Sequence, residues 1–235
     1  MHVLKVLTKP GSGNEHIVHW TNTITPRGSY RVSVPVEIED APIIAELYVL
    51  QHLLEVKEVV GANSAGSPNI KLVVSFGAIK KLNRKSSDKT HMTEYAKFLT
   101  TRWKDCVIEV DKDESWLGEY EPSESLDATS PLSEYIDIHG FGRAVLTSHV
   151  VEQYHERFEK ELFGDAWRKL TKTAREDKII EIDKNNPQTR MKYAIKGKGE
   201  GRYFYHPNKQ LMMVVSKTYD GTPAMVTAYK TEFKQ

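Results

Sequence analysis

The side chains best suited to acid–base and phosphate chemistry in these 235 residues cluster around one stretch, LTSHVVEQYHERF. Read as a helix, it puts His149, Gln153 and Arg157 on one side, because residues four apart are neighbours on a helical surface. An imidazole titrates near neutrality and suits a general base or a general acid. A guanidinium on the same stripe suits a phosphate oxygen. Near the C-terminus, AMVTAYK places Thr227 and Tyr229 two apart, on one face of a strand, where they would orient a ligand or donate a proton. Lys196, with Lys192 as its alternative, supplies a second cation. Arg168, Lys172, Lys192, Lys198 and Arg202 are the further basic residues expected to contact a polyanion. Thr227 lies 70 positions after Arg157, so the fold must return the last strand to this helix.

Each of these residues also has a plainer reading. His149 suits a surface or capping position, and Arg157 an ion pair with Glu161 at i+4. His155 lies off the His149 stripe and reads as solvent-facing. His206, before Pro207, reads as a strand end. Tyr203, Phe204 and Tyr205 are able to stack on bases, although two of the three are expected to cover core and sheet edge. GKGEG (197–201) lies between strands rather than before a helix and reads as a hairpin link, not a phosphate cradle.

The elements that must position these groups follow from periodicity. A helix is predicted over Val145–Leu162, with Val150, Tyr154, Phe158 and Leu162 inward and Thr147 or Ser148 as cap. DAWRKLTKTAREDK reads as a basic helix with Trp167, Leu170 and Ala174 inward. From Ile179 the period changes to two: IIEI, MKYAIK, RYFYH, LMMVVSKT and AMVTAYK alternate with short turn-forming links. That pattern predicts an antiparallel sheet of about four strands behind two helices.

Upstream, HVLKVLT, EHIVHWT and SYRVSVPVEI read as a meander of three strands, with Pro35 marking an edge or bulge. EDAPIIAELYVLQHLLEVKEVVG reads as a helix capped by Asp40. IKLVVS is a buried strand, GAIKKL a short helical turn, HMTEYAKFLTTRW a second long helix and CVIEV a fifth strand. Residues 111–137 carry nine acids and one lysine, with Pro122 and Pro131, a composition that fits a connector. The boundaries expected are therefore 1–117, an acidic linker over 118–139, and 140–235.

Composition narrows the classes. Charged residues make up 28% and hydrophobic residues 39%, ordinary for a folded soluble chain. No apolar run approaches a membrane span, and the start of the chain reads as lacking a secretory signal. The single cysteine, Cys106, suits a reducing, cytoplasmic setting and reads as a core residue rather than a nucleophile. The net charge of +1 hides a split: residues 1–139 hold 15 Lys and Arg against 20 Asp and Glu, and the remainder hold 18 against 12. The basic half invites a polyanion.

Two resemblances follow. The order strand–strand–strand–helix–strand–helix–strand over 1–117, with TKPGSGN after the first strand and Glu46 in AELYVLQHLL, resembles the ribonuclease H-like fold. That family's chemistry needs several carboxylates on two divalent metals. HVLKVLT carries no Asp, and the strand IKLVVS ends in Val74 and Ser75. The resemblance therefore implies a catalytically silent scaffold, with no metal site. Over 140–233, the Leu146-Thr147-x-His149 helix start and the terminal Thr227-x-Tyr229 strand resemble the barnase, EndoU, colicin and RelE-type ribonucleases and toxins. That likeness implies cleavage of RNA by its own 2′-hydroxyl, without cofactor, using His149, Arg157, Lys196, Thr227 and Tyr229. The fold class expected is thus a two-domain α+β / α/β protein acting on RNA. One alternative is a non-catalytic binding or inhibitor protein, of the phage or mobile-element kind, acting on a host nuclease, ribosome or nucleic acid. Another is a metal-dependent nuclease built on Glu46.

Overall fold

The structure, a computed structural model, describes residues 1–23, 27–61, 64–118, 121–158, 161–183 and 201–231. The chain divides into two compact units, Met1–Leu132 and Ser133–Gln235, each a mixed sheet with helices.

In the first unit the sheet order is β5-β4-β1-β2-β3-β6. β1 (His2–Pro10), β2 (Glu15–Asn22) and β3 (Arg27–Ser33) form the expected antiparallel meander. β4 (Ile70–Val74) runs parallel to β1, and β5 (Val107–Val110) parallel to β4. β3 ends before Pro35, which has no N–H to give a ladder. α1 (Ala41–Gln51) crosses from β3 to β4, and its last turns widen to i→i+5 bonding, as in Lys57 N–H to His52 O at 2.9 Å. Leu4, Val6, Val18 and Val32 share one core with Ile44, Leu47, Leu50 and Leu54, and these eight side chains are 0–1% exposed. Burial of this kind contributes roughly 25 cal/mol per Å² of apolar surface, so strand alternation and the helical stripe together fix how α1 lies on the sheet.

Several expectations are corrected. Asp40 does not cap α1 with its side chain: its backbone is left-handed (φ 59°), and its carboxylate meets Lys89 and lies 3.4 Å from His91. The second long helix is broken. Only Thr90–Met92 and α3 (Lys97–Thr100) are helical, although Met92, Phe98 and Leu99 are buried as the pattern required. α2 (Gly77–Asn83) is the expected short helix. Within the acidic stretch 118–139, β6 (Glu124–Asp127) pairs in parallel with β3 of the first sheet, and β7 (Tyr135–Ile138) joins the second sheet. Both are four-residue edge strands: β6 is too polar to leave a period, whereas β7 alternates, with Ile136 and Ile138 buried, but is only four residues long. Just upstream of this acidic stretch, Asp111 and Glu114 pair with Lys5, at 3.2 Å, and Lys9 on β1.

In the second unit the order is β7-β8-β12-β11-β10-β9. β9 (Ile180–Ile182), β10 (Arg202–His206), β11 (Leu211–Lys217) and β12 (Pro223–Lys230) pair antiparallel. β8 (Gly142–Leu146) lies antiparallel to β7 but parallel to β12. The sheet is therefore mixed and has six strands among the described residues, where an antiparallel sheet of four was expected. MKYAIK falls outside the described residues. Val145 and Leu146 belong to β8, so the helix expected from Val145 to Leu162 is shorter: α4 spans Ser148–Arg157 and α5 spans Phe163–Ala174. The helix starts late because Thr147 is extended (φ −82°, ψ 148°). Val150, Tyr154, Trp167, Leu170 and Ala174 are buried as expected, whereas Phe158 and Leu162 are half-buried.

Candidate functional site

β8 and β12 share only two pairs, Val145 with Ala224 and Leu146 with Met225. Beyond Leu146 the edge of β12 loses its strand partner, and α4 packs against it instead. Backbone groups left there still need partners. Thr147 Oγ1 donates to the Met225 carbonyl (2.9 Å) and Arg157 Nη1 donates to the Ala228 carbonyl (2.7 Å). Between these two carbonyls β12 is bulged: Val214 pairs with Thr227 and Val215 with Met225, so Val226 is skipped. A bulge turns the following side chains, and here Thr227 reaches α4.

That seam joins residues the sequence separates widely. Thr227 Oγ1 donates to Gln153 Oε1 (2.6 Å), and Gln153 Nε2 lies 2.6 Å from His149 Nε2. His149 and Arg157 are exposed, and Gln153 and Thr227 half-buried. Where an ion pair with Glu161 was the plainer expectation for Arg157, its guanidinium is instead bonded to the Ala228 carbonyl at the strand edge. Tyr229 follows Thr227 on the same face. Burial pushes its phenol up to about 12, the nearby Tyr203 phenol adds to this, and the Arg157 cation opposes it. Tyr229 is therefore a neutral phenol at ordinary pH, with its hydroxyl buried.

The remaining expected residues are placed as follows. Lys192, Lys196 and Lys198 lie outside the described residues. Arg202 is held in a two-point pair by Glu181 (2.6 Å for both bonds) and lies over Phe141 at 4.7 Å. Arg168 is paired with Asp165 (2.7 Å) on α5, and Lys172 is exposed on the same helix. Tyr203, Phe204 and Tyr205 are all buried, so none presents a face for base stacking; their alternation puts Phe204 on one side of the sheet and the two tyrosines on the other. His155 is not free in solvent but stacks on Phe163, centroids 4.1 Å apart.

The partners of His206 and of Glu46 escaped the sequence reading. His206 is 1% exposed, and its Nε2 lies 2.7 Å from Glu176 Oε2. Lys209 also pairs with Glu176, and these two contacts, Lys209 first, hold the Glu176 carboxyl down at about 2. In the first unit, Glu46 of α1 is 0% exposed. Ser75 N–H donates to its Oε1 (2.6 Å), and the hydroxyls of Ser75 (2.5 Å) and Thr8 (2.9 Å) donate to Oε2. Burial pushes Glu46 up to about 6, against those hydrogen bonds. The alternation Leu4, Val6, Thr8 was the available signal that Thr8 points toward α1. Cys106 is buried and its thiol is pushed up to about 12 by that burial, so it is inert. Among the described residues no three His, Cys, Asp or Glu side chains gather as a metal site, and no helix is long and apolar enough to cross a membrane.

No family model matches the chain, and neither does any curated protein or solved structure.

Proposed function

We propose that the second unit is a metal-independent endoribonuclease whose site is the seam between α4 and β12. The observation that carries this reading is the bonded chain Thr227–Gln153–His149, with Arg157 fixed one turn further along the same helix. An exposed imidazole held in place beside an anchored guanidinium is suited to proton transfer next to a phosphate. His149 takes the proton of an RNA 2′-hydroxyl as that oxygen attacks the adjacent phosphorus. The new bond is O2′–P, and the bond that breaks is P–O5′. The departing 5′-oxygen takes a proton from solvent, to which His149 then returns the proton it removed, and Arg157 stabilises the charge gathered on the phosphorane oxygens; the buried Tyr229 hydroxyl lies behind this exchange. The basic excess of the C-terminal half favours a polyanionic substrate.

For the first unit we propose a silent ribonuclease H-like scaffold. Support comes from the order β5-β4-β1-β2-β3, with α1 between β3 and β4. The position where that family gathers carboxylates from the first strand, the first helix and the end of the fourth strand is taken here by Thr8, Glu46 and Ser75. These residues do not fit a pair of divalent metals: one carboxyl group remains, and three protein donors already occupy it.

The test is the chemistry of the product. RNA incubated with the purified chain in EDTA is expected to yield fragments ending in 2′,3′-cyclic phosphate. Fragments ending in 3′-hydroxyl, or intact RNA, would overturn the reading.

A further inference from the structure

In the second unit Arg168, Arg175 and Arg202 each face a carboxylate, and Arg157 a backbone carbonyl. Arg143 on β8 has neither among the described residues. Its guanidinium instead lies over the ring of Tyr135 on β7, 4.2 Å from the centroid, and both residues are exposed. Asp137, the ladder partner of Arg143, is 3.9 Å from Arg175 instead. A ring attracts a cation through its π-face and leaves the N–H donors of the guanidinium available. Those donors suit the oxygens of a phosphate, two at a time. Guanidinium planes and aromatic rings are both surfaces on which nucleobases stack. One exposed pair therefore offers contacts to a base and to its phosphate.

Register puts this pair on the same side of the sheet as the seam. Tyr135 is opposite Val145, Val145 is beside Ala224, and Ala224 is opposite Ser216. Ser216 shares a face of β11 with Val214, whose partner is Thr227. Tyr135 and Arg143 therefore lie on the face that carries Thr227 and Tyr229. Tyr135 is two strands across and two residues along from Thr227, a separation of roughly 12 Å. We propose that Arg143 and Tyr135 form a subsite for an unpaired base and its phosphate, a few nucleotides from the bond that is cut. This rests on the ribonuclease reading above and adds the substrate class, single-stranded RNA, because a base inside a duplex is already stacked on its neighbours. The basic excess of the C-terminal half suits the same ligand. Tyrosine and arginine also anchor protein partners; the face shared with Thr227 and Tyr229 favours RNA.

The test is binding of the full chain to a 2′-O-methyl single-stranded RNA, followed by fluorescence anisotropy across a salt series. This probe lacks the attacking hydroxyl and stays whole. Tyr135→Ala and Arg143→Ala are each expected to weaken binding about tenfold, with melting temperature unchanged. Tyr135→Phe keeps the ring and is expected to stay within about twofold of the wild type. Arg143→Ala should also lower the slope of log K against log salt by about 0.7, the single-strand value for one phosphate contact. Arg143→Lys should keep that slope while losing the stacking plane. Tyr219→Ala is the control. This tyrosine, on the β11–β12 turn, is fully exposed but has no guanidinium over its ring among the described residues, and its loss should change binding by less than about twofold. A wild type that does not bind the probe, variants that bind it as the wild type does, or an equal loss in Tyr219→Ala would overturn the inference. So would a Tyr135→Ala variant that changes only the chain's self-association in sedimentation. If the probe is held through Tyr135 and Arg143 but natural RNA stays intact in EDTA, the ribonuclease reading fails and the subsite stands. If RNA is cut and neither variant changes KM, the subsite fails and the ribonuclease reading stands.

Discussion

The two units handle a titratable group in opposite ways. In the first, Glu46 is sealed, with its carboxyl oxygens taken by Ser75 and Thr8. In the second, His149 is exposed and held through one ring nitrogen by a side chain that is itself held. A sealed and satisfied group contributes to the fold, because nothing can reach it and removing it strands its partners. An exposed, oriented group is available to a substrate. Perturbed ionisation alone would have pointed to Glu46; access and orientation point to His149.

The contrast can be broken from either side. The largest stability effect is expected for Glu46→Ala, which strands two hydroxyls and an N–H in the core and opens a cavity. Unfolding free energy should fall by about 3 kcal/mol in denaturant titration, with RNA cleavage at 25 °C unchanged. Loss of cleavage in a folded Glu46 variant would move the active site to the first unit. Arg157→Ala is expected to do the reverse, lowering kcat/KM about 100-fold with unfolding unchanged to within about 1 kcal/mol.

The pH dependence should also separate the units. The Glu46 carboxyl titrates at about 6 when folded, above its ordinary value of about 4.5. A raised value means that this group's stabilising contribution is complete below pH 4.5 and is lost as pH rises through 6. The loss is roughly 2 kcal/mol at full ionisation, and Glu46→Gln should remove that slope. Glu176, held down at about 2 by Lys209 and His206, acts in the opposite direction. Its contribution is present above pH 4.5 and is lost as pH falls through 2. Acid titration by NMR should therefore show the second unit loosening while Glu46 favours the first, and Glu176→Gln should weaken that acid response by the smallest margin of the set.

Much of this architecture was legible in the chain. Alternation in HVLKVLT and SYRVSV and the stripe Ile43, Leu47, Leu50, Leu54 gave β1, β3 and α1, because burying one face imposes a period. Edge strand β6 imposes none: three of its four residues are exposed, so the ladder alone defines it, and β7 alternates over only four residues, Ile136 and Ile138 inward, inside a stretch whose acids and prolines read as a connector. Asp40 read as a cap, yet Lys89, 49 positions on, took its carboxylate; local capping rules cannot see a distant partner. For the same reason the four-residue spacing placed Gln153 between His149 and Arg157, but Thr227 as its anchor depended on where β8 ends and β12 bulges. The hydroxyls around Glu46 are 38 and 29 positions away. Absence of aspartates was readable there; what filled their place was not.

The most direct measurement is cleavage of a defined RNA in EDTA by the wild-type chain and by His149→Ala. A general base contributes on the order of 10²- to 10⁴-fold. The wild type is expected to cut without metal, and His149→Ala to lose about 1000-fold while its melting temperature holds. Equal cutting by both proteins, or cutting that appears only when Mg²⁺ is restored, would contradict the account.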